Sequence, residues 1–360
     1  MENHYTKMKN INSFVFLLLF FVVGVNFQTQ ARSQIKDSVA FVDLFSEDEP
    51  LQIYLYADYV SLLDDVSDKR IYHAASLTVK NTSCAFSEMP IKLKTRGNFR
   101  LRKQTCNFPP LRFKLYDDHA EGTIFRGQKK LKYVSHCQNF KKHYEQHTLE
   151  EFLIYKMYNV FTDYSYQVRL AKSTFIDTNS RDTIQRYGFF IEDKSHLADR
   201  LGRQVLKFRN IKHYQVLRSN ILVLSLFQYM IGNTDWDISR LHNVDLMSVN
   251  EHSMPVAVPY DFDWSAIISH DYFVPDPQID LEAKYKRRYK SYRWTEEEFE
   301  TAFAIFHEHR DDLTNLISDF TILESENRIK LLSYISEFYD LISSKADVKD
   351  FILKNAKKIP

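Results

Sequence analysis

The sequence predicts an α+β protein of two lobes, in which a β-rich N-terminal lobe precedes a mostly helical C-terminal lobe. Two observations lead to this prediction. The first half of the chain contains short segments in which apolar and polar residues alternate, as in strands with one buried face. In the second half, apolar residues recur with helical spacing. A cleft between two such lobes is a natural ligand site.

The alternating segments define the predicted strands, and the periodic segments define the helices. The strands cover residues 51–57, 71–79, 91–97, 111–116, 130–136, 168–177 and 187–193. The helices cover 149–161, 216–233, 294–309 and 326–342, and a pair of strands is inserted after the second helix. The helix at 216–233 is apolar almost all round, which predicts that it is buried.

Composition places the chain among ordinary globular proteins. Of its 360 residues, 44% are hydrophobic and 26% are charged, so a substantial core can form. The formal net charge of +1 creates no whole-protein field that would attract nucleic acid or anionic membranes, and we expect no nucleic-acid partner. We expect a monomer, and no zinc site among the histidines.

The N-terminus predicts export. Lys7 and Lys9 precede an apolar run at 14–25 that is shorter than the ~20 residues needed to span a bilayer. A basic start, a short apolar run and Ala31 are typical of a signal peptide at 1–31, which implies a periplasmic or extracellular protein with no membrane span after cleavage. An uncleaved anchor is the alternative.

The predicted domain boundaries follow these patterns. After the signal peptide come a β-rich extension at 32–84, the N-terminal lobe at 85–195, the helical lobe at 196–345 and a tail at 346–360.

The chain has three cysteines, Cys84, Cys106 and Cys137, and their spacing matches no zinc motif. An oxidising compartment would allow one disulfide with one thiol left over. The sequence leaves the pairing open, and three separate buried thiols are the alternative.

Acidic residues and an asparagine follow the buried helix. Phosphoryl transfer needs an acid that positions the nucleophilic hydroxyl, together with an Asn and an Asp that hold magnesium. Asp235 is the candidate for the acid, and Asn243, Asp261 and Asp263 are the candidate metal ligands. The alternative is that these residues only form turns and helix caps. A predicted pair of strands separates the two motifs, and this spacing favours the functional interpretation over simple turns and caps.

Three segments together resemble the CotH-like atypical protein kinases. They are TRGNFRLRKQTCNFPPLRFKL at 95–115, FQYMIGNTDWD at 227–237 and PYDFDWS at 259–265. The resemblance covers about residues 85–270, and the chain is similar at lower strength to HipA-type kinases. It implies a protein-kinase-like fold that uses ATP and Mg²⁺. Because kinase loops usually place the Asn about five residues after the acid, Asp237 is an alternative to Asp235.

The same resemblance implies a nucleotide-binding set. Arg96 would lie in a turn near the phosphates, Lys114 would contact them from a strand, and Glu150 or Glu151 would orient that lysine. Glu192 would lie where the adenine docks. The alternatives are that Lys114 is an outward-facing strand residue and that the two glutamates are ordinary charges at a helix N-terminus.

These features together predict an exported ATP- and magnesium-dependent kinase. It would transfer phosphate to a hydroxyl of a protein or of another envelope component. One alternative is a kinase-shaped module of the envelope that binds or assembles without turnover. Another is a metal-dependent hydrolase that uses the same acids.

Overall fold

The strands between Leu51 and Ile191 close into a seven-stranded β-barrel in the computed structural model, which describes residues 43–80 and 87–359. They are β1 (Leu51–Ala57), β2 (His73–Lys80), β3 (Ser87–Thr95), β4 (Leu111–Lys114), β5 (Lys130–Val134), β6 (Val168–Asp177) and β7 (Thr183–Ile191). Around the barrel the order is β1-β2-β3-β4-β5-β7-β6. All neighbours are antiparallel except β1 and β6, whose parallel pairing closes the barrel.

Alternation along each strand fills the barrel. In β1, every second residue from Leu51 to Ala57 is buried, because successive side chains of a strand point to opposite faces. Aromatic rings occupy much of the interior, and Phe113, Tyr133 and Phe190 lie within 5.6 Å of one another by ring centroid. Gly188 leaves room for this packing, since a Cβ there would lie 2.2 Å from the Tyr133 hydroxyl. The side-chain period of two therefore specifies the interior of the barrel.

Helices follow and partly interrupt the barrel. They are α1 (Tyr59–Asp64), α2 (Asp117–Ala120), α3 (Lys142–Phe161), α4 (Lys194–Arg200), α5 (Arg218–Met230), α6 (Glu296–Glu308), α7 (Arg310–Asp319), α8 (Ser325–Ser343) and α9 (Lys345–Asp347). A small antiparallel sheet, in the order β10-β9-β8, is formed by β8 (Gln204–Leu206), β9 (Val244–Ser248) and β10 (Val256–Pro259). A capping box between Thr295 and Glu298 begins α6, within the helix predicted at 294–309.

A second core joins the helices to the outer wall of the barrel. Phe190 belongs to the cluster inside the barrel, whereas its neighbour Phe189 belongs to the helical cluster. The predicted buried helix is confirmed, because every residue of α5 from Asn220 to Met230 is buried. The two cores therefore meet at the barrel wall, where β7 serves both.

The α+β class is confirmed, but the prediction of a two-lobed protein-kinase-like fold is wrong. The finding that overturns it is the closed barrel. Alternating patterns predict strands, but they do not reveal whether a sheet stays open. Closure depends on the pairing of β1 with β6, which aligns Leu51 with Ala171 far along the chain.

Two of the predicted domain boundaries lie next to or within regular secondary structure. The boundary between 84 and 85 falls between β2 and β3, which are hydrogen-bonded neighbours in one barrel. The predicted tail contains a π-helical segment, Val348–Leu353, in which Ile352 is fully buried. The predicted signal peptide lies outside the described residues. Within the described ranges, no helix combines the length and the apolar character that crossing a membrane requires.

A disulfide joins Cys106 to Cys137, which answers the pairing left open by the sequence. It links the loop before β4 to the loop after β5, and the backbone N–H of Phe108 donates to the Cys137 carbonyl at 2.9 Å beside it. Cys84 lies outside the described residues.

Candidate functional site

A cleft of about 610 Å³ lies where the end of β3 faces the loops that flank the small sheet. Its wall on the barrel side is made of residues from β3, β4 and the turn after β3. The opposite wall comes from the loop at 235–243 and from the segment at 260–264. Cleft-lining residues include Lys94, Arg96, Arg112, Asp235, Asn243 and Asp261. Cationic and acidic side chains therefore share one cavity.

On the acidic wall, Asp235 is held at both carboxylate oxygens. The Asn243 amide donates to Oδ2 at 3.0 Å and to the Asp235 carbonyl at 2.8 Å, and the His242 ring nitrogen Nε2 lies 2.8 Å from Oδ1. Asn243 has a φ of +53° and Asp261 a φ of +62°, a region that Asn and Asp adopt more readily than most residues. The Tyr155 hydroxyl contacts the Asp261 backbone nitrogen at 2.8 Å. These bonds orient the polar groups toward the cleft.

One guanidinium in the lining of the cleft, that of Arg100, contacts three of the predicted acids. Arg100 lies in a 3₁₀ turn at Phe99–Leu101 and is only 7% exposed. Its Nη2 lies 3.2 Å from Glu151 and 3.3 Å from Asp261, and its Nε lies 3.0 Å from Asp263. Three carboxylates around one buried cation form a compact charged network.

Burial dominates the protonation of this network. It raises the pKa of Glu151 to about 8, and the nearby guanidinium of Arg100 offsets only part of the effect. It also raises the pKa of Asp263 to about 6, again against the influence of Arg100. Burial opposes the charge of Arg100 itself, yet Asp263 and Glu151 outweigh it and raise the pKa of that guanidinium well above its ordinary value.

The raised pKa of Glu151 predicts a pH-dependent stability. A carboxyl whose pKa rises from 4.5 when unfolded to about 8 when folded loses stabilising effect as the pH increases between those two values. Glu151→Gln lacks this titration. The unfolding free energy of the variant minus that of wild type should therefore increase by about 2 kcal/mol when the pH rises from about 6 to about 7.5. Urea titrations at both pH values measure this difference. The exposed Glu308→Gln should show none, and an equal response in both variants would contradict the prediction.

On the basic wall, cations align across adjacent strands. Lys94 of β3 pairs in register with Arg112 of β4, which pairs with Lys132 of β5. All three therefore lie on one face of the sheet, the face opposite the barrel interior. No carboxylate among the residues of known position lies within 4.0 Å of the charged nitrogens of Lys94, Arg96 or Arg112. The basic wall is thus available to an anion.

Two cations of this region, Arg96 and Lys132, are partly buried. Burial lowers the pKa of Arg96, and Asp261 partly restores it. Burial also lowers the pKa of Lys132 to about 8, with a further contribution from the nearby charge of Arg96. The Lys132 ammonium lies 4.8 Å from the centre of the Tyr260 ring, which lines the cleft. A bound anion would compensate this concentration of positive charge.

Most of the predicted site residues come together here. Arg96, Asp235, Asn243, Asp261 and Asp263 line the cleft, and Glu151 lies behind it through Arg100.

Among the predicted residues, Lys114, Asp237 and Glu192 neither line the cleft nor contact Arg100. Lys114 lies two positions beyond Arg112, with its ammonium about 6 Å from the rings of Tyr72 and Tyr116. Asp237 accepts hydrogen bonds from Ser239 and Arg240 and so closes its own turn.

Glu192 is the third. Both of its carboxylate oxygens receive hydrogen bonds from Arg200 at 2.9 Å, and Oε2 also accepts from the Gln167 backbone at 3.1 Å. These contacts give Glu192 a structural role at the end of β7.

Sequence reasoning missed Arg100, Arg112 and Lys94. Arg100 and Arg112 both fall within the 95–115 segment that resembles the kinases, but the pattern drew attention to Arg96 and Lys114. The alternation in β3 and β4 indicates that cations share one face, yet the register that aligns Lys94 with Arg112 is visible only in the structure.

Comparison with known proteins adds no family assignment: no family model matches the chain, and no curated protein matches its sequence.

Proposed function

We propose that the cleft binds the magnesium complex of ATP and transfers its terminal phosphoryl group to a hydroxyl of a protein or envelope component, as in the CotH-like kinases. One observation carries this proposal. Lys94, Arg96 and Arg112 line the same cavity as Asp235, Asn243 and Asp261. Phosphate oxygens need cationic partners, and a divalent cation needs oxygen ligands. A nucleoside triphosphate with its metal ion requires both.

The acidic wall fits a magnesium ion through Asn243 and Asp261. Asp261 keeps 39% of its side chain exposed, and Asp235 and Asn243 line the cleft beside it. Asp263 is less suitable, because its Oδ2 already contacts Arg100 and the Tyr272 hydroxyl at 3.0 and 2.9 Å. When bound, magnesium would neutralise charge on the phosphates. The ligand set is therefore Asn243 and Asp261, and Asp235 beside them is left to act as the base.

Other side chains of the cleft would accept the proton and bind the phosphates. Asp235, oriented by Asn243 and His242, would accept the proton of the attacking hydroxyl. Arg96 and Arg112 would hold phosphate oxygens through charge-assisted hydrogen bonds. In this proposal Arg112 takes the part that the resemblance assigns to Lys114.

A second candidate function is an anion-binding module without turnover. Arg100 favours it, because its guanidinium already supplies a cation to Glu151, Asp261 and Asp263. This cation offsets part of the charge of the three carboxyl groups without a metal ion. Such a module would bind phosphate groups on the basic wall whether or not magnesium is present.

Thermal shift separates the two candidates. We expect ATP with Mg²⁺ to raise the melting temperature of the purified protein, and Asp261→Asn to remove that increase because a metal ligand is lost. Asn tolerates the positive φ at this position. The exposed Asp68→Asn is the control and should respond like wild type. An ATP response that needs neither Mg²⁺ nor Asp261 would favour the binding module, and the absence of any response would refute both.

Arg112 and Lys114 of β4 provide a matched pair of variants for measuring the affinity for ATP–Mg²⁺. Arg112→Gln should weaken ATP–Mg²⁺ binding by about 10- to 100-fold, since it removes one charge-assisted hydrogen bond. Lys114→Gln lies on the same face but outside the cleft and should leave the dissociation constant unchanged. Transfer of labelled terminal phosphate, lost in Asp235→Asn while binding is retained, would establish turnover.

A further inference from the structure

Beside the disulfide, histidines of α3 meet the loop at 270–272. We expected no zinc site among the histidines, but His143 and His147 lie one helical turn apart on α3 and so share a face. The Nε2 atom of His143 is 3.1 Å from both carboxylate oxygens of Asp271. One potential ligand atom from each of His143, His147 and Asp271 lies within 4.8 Å of the others. Two imidazoles and a carboxylate are a common zinc ligand set.

His147 is oriented for coordination by a buried carboxylate. Its Nδ1 lies 2.9 Å from Oε2 of Glu150, and Glu150 is fully buried. An acid on one ring nitrogen keeps the proton there and leaves the other nitrogen free to bind a metal ion, an arrangement that recurs at metal-ligating histidines. Glu150 therefore has a role distinct from that of its neighbour Glu151.

An unsatisfied nitrogen next to this group is a second observation. His270 is 5% exposed, and its ring centre lies 4.4 Å from that of His147. Its Nδ1 is buried and has no hydrogen-bond partner within the part of the chain that the structure describes. Buried polar atoms without a partner are uncommon and indicate a ligand or ordered water nearby.

A plain ion pair is the competing explanation. Asp271 lies 3.1 Å from His143 and 3.6 Å from Lys141, and all three side chains are about half exposed. Exposed pairs of this kind contribute little to stability. An ion pair, however, does not account for the orientation of His147 by the buried Glu150.

We propose that His143, His147 and Asp271 bind a divalent transition-metal ion, with Zn²⁺ the best fit. Tetrahedral zinc with ligands at about 2.0–2.1 Å places the ligand atoms roughly 3.3 Å apart. The present separations of up to 4.8 Å must therefore shorten slightly. The half-exposed side chains of His143 and Asp271 are free to make that adjustment by rotation.

The ion would fasten the 270–272 loop to α3. Tyr272 belongs to that loop, and its hydroxyl donates to Asp263 of the cleft at 2.9 Å. Metal binding would thus stabilise one wall of the cleft without entering it. This inference does not depend on the reaction carried out in the cleft.

Titration of the chelator-treated protein with Zn²⁺ tests the site. We expect one tight site per chain by calorimetry, with the affinity reduced by more than about 100-fold in His143→Ala and in Asp271→Asn, since loss of a ligand should exceed the 10- to 100-fold cost of losing an outer partner. His119→Ala removes a histidine of similar exposure outside the group and should bind like wild type. Substitution with Co²⁺ should give the intense visible absorption of a tetrahedral site.

The variants should fold, so a failure to bind zinc can be distinguished from a failure to fold. His143 and Asp271 are 50% and 43% exposed, so neither substitution should prevent folding, and melting curves without metal verify this. Equal Zn²⁺ affinity in wild type and His143→Ala would overturn the proposal, as would the absence of a tight site in wild type. Lowering the pH to about 5.5 should release the ion, because histidine ligands must be deprotonated.

Discussion

Arg100→Ala should destabilise the protein by about 3–5 kcal/mol at neutral pH, because removal of the cation leaves the buried carboxylate of Asp263 uncompensated. Asp263 is 4% exposed, so its carboxylate cannot recover its hydration, whereas Glu151, with a pKa of about 8, is largely protonated at neutral pH. Arg100 contacts Glu151, Asp261 and Asp263 at 3.0–3.3 Å, which makes the loss larger than that of a surface pair. Urea-induced unfolding, followed by circular dichroism, measures the change.

The cost should fall at lower pH. Burial already raises the pKa of Glu151 to about 8 and that of Asp263 to about 6, and loss of Arg100 removes the charge that holds both values down. Protonation then replaces the missing cation, so wild type and Arg100→Ala should converge as the pH decreases toward about 5.

Two further variants provide a control and an intermediate for Arg100→Ala. Arg102→Ala removes an exposed arginine of the same segment and should change stability by no more than about 0.5 kcal/mol. Arg100→Lys keeps a charge but loses the fork geometry, and we expect an intermediate cost. If Arg100→Ala were as stable as Arg102→Ala, the three carboxylates would not depend on the guanidinium.

Loss of the disulfide should be the second large effect. Cys106 and Cys137 are separated by 31 positions, and closing a loop of that size reduces the entropy of the unfolded chain by an amount worth about 3–4 kcal/mol. The bond joins the loops on either side of β4 and β5, the strands that carry Arg112 and Lys132. Reduction should therefore lower the melting temperature and loosen the basic wall.

Single cysteine variants can identify which two cysteines form the disulfide. Cys106→Ala should remove the sensitivity of the melting temperature to reductant, and Cys137→Ala should do the same. Cys84→Ala should retain that sensitivity, because its cysteine is outside the bond. Mass spectrometry of non-reduced peptides reads the linkage directly. A linkage that includes Cys84 in the wild-type protein would contradict the prediction.

Local sequence pattern was sufficient for the elements whose hydrophobic period is clear. The strands β1 and β6 have the bounds that alternation predicts, Leu51–Ala57 and Val168–Asp177. Helix α5 is buried as its apolar surface predicts, and α6 begins at the capping signal of Thr295. These features depend on side-chain periodicity and on hydrogen bonds between near neighbours, both of which the sequence contains.

The candidate site was predicted in part for the same reason. Asp235, Asn243, Asp261 and Asp263 stand in two short motifs separated by a strand pair, so their convergence follows from one local hairpin. Helix α3, in contrast, begins at Lys142, well before the predicted residue 149. The apolar pattern is weak over this first part of α3, and that part carries both zinc-site histidines.

By itself, the sequence determined the α+β class, most of the secondary structure and the acidic wall of the cleft. Only the tertiary structure decided that β1 pairs with β6 to close a barrel, that Lys94, Arg112 and Lys132 align across strands, and that Arg100 contacts three acids. The physical reason is range: period and capping act over a few residues, whereas register, closure and buried charge pairing join groups far apart in the chain.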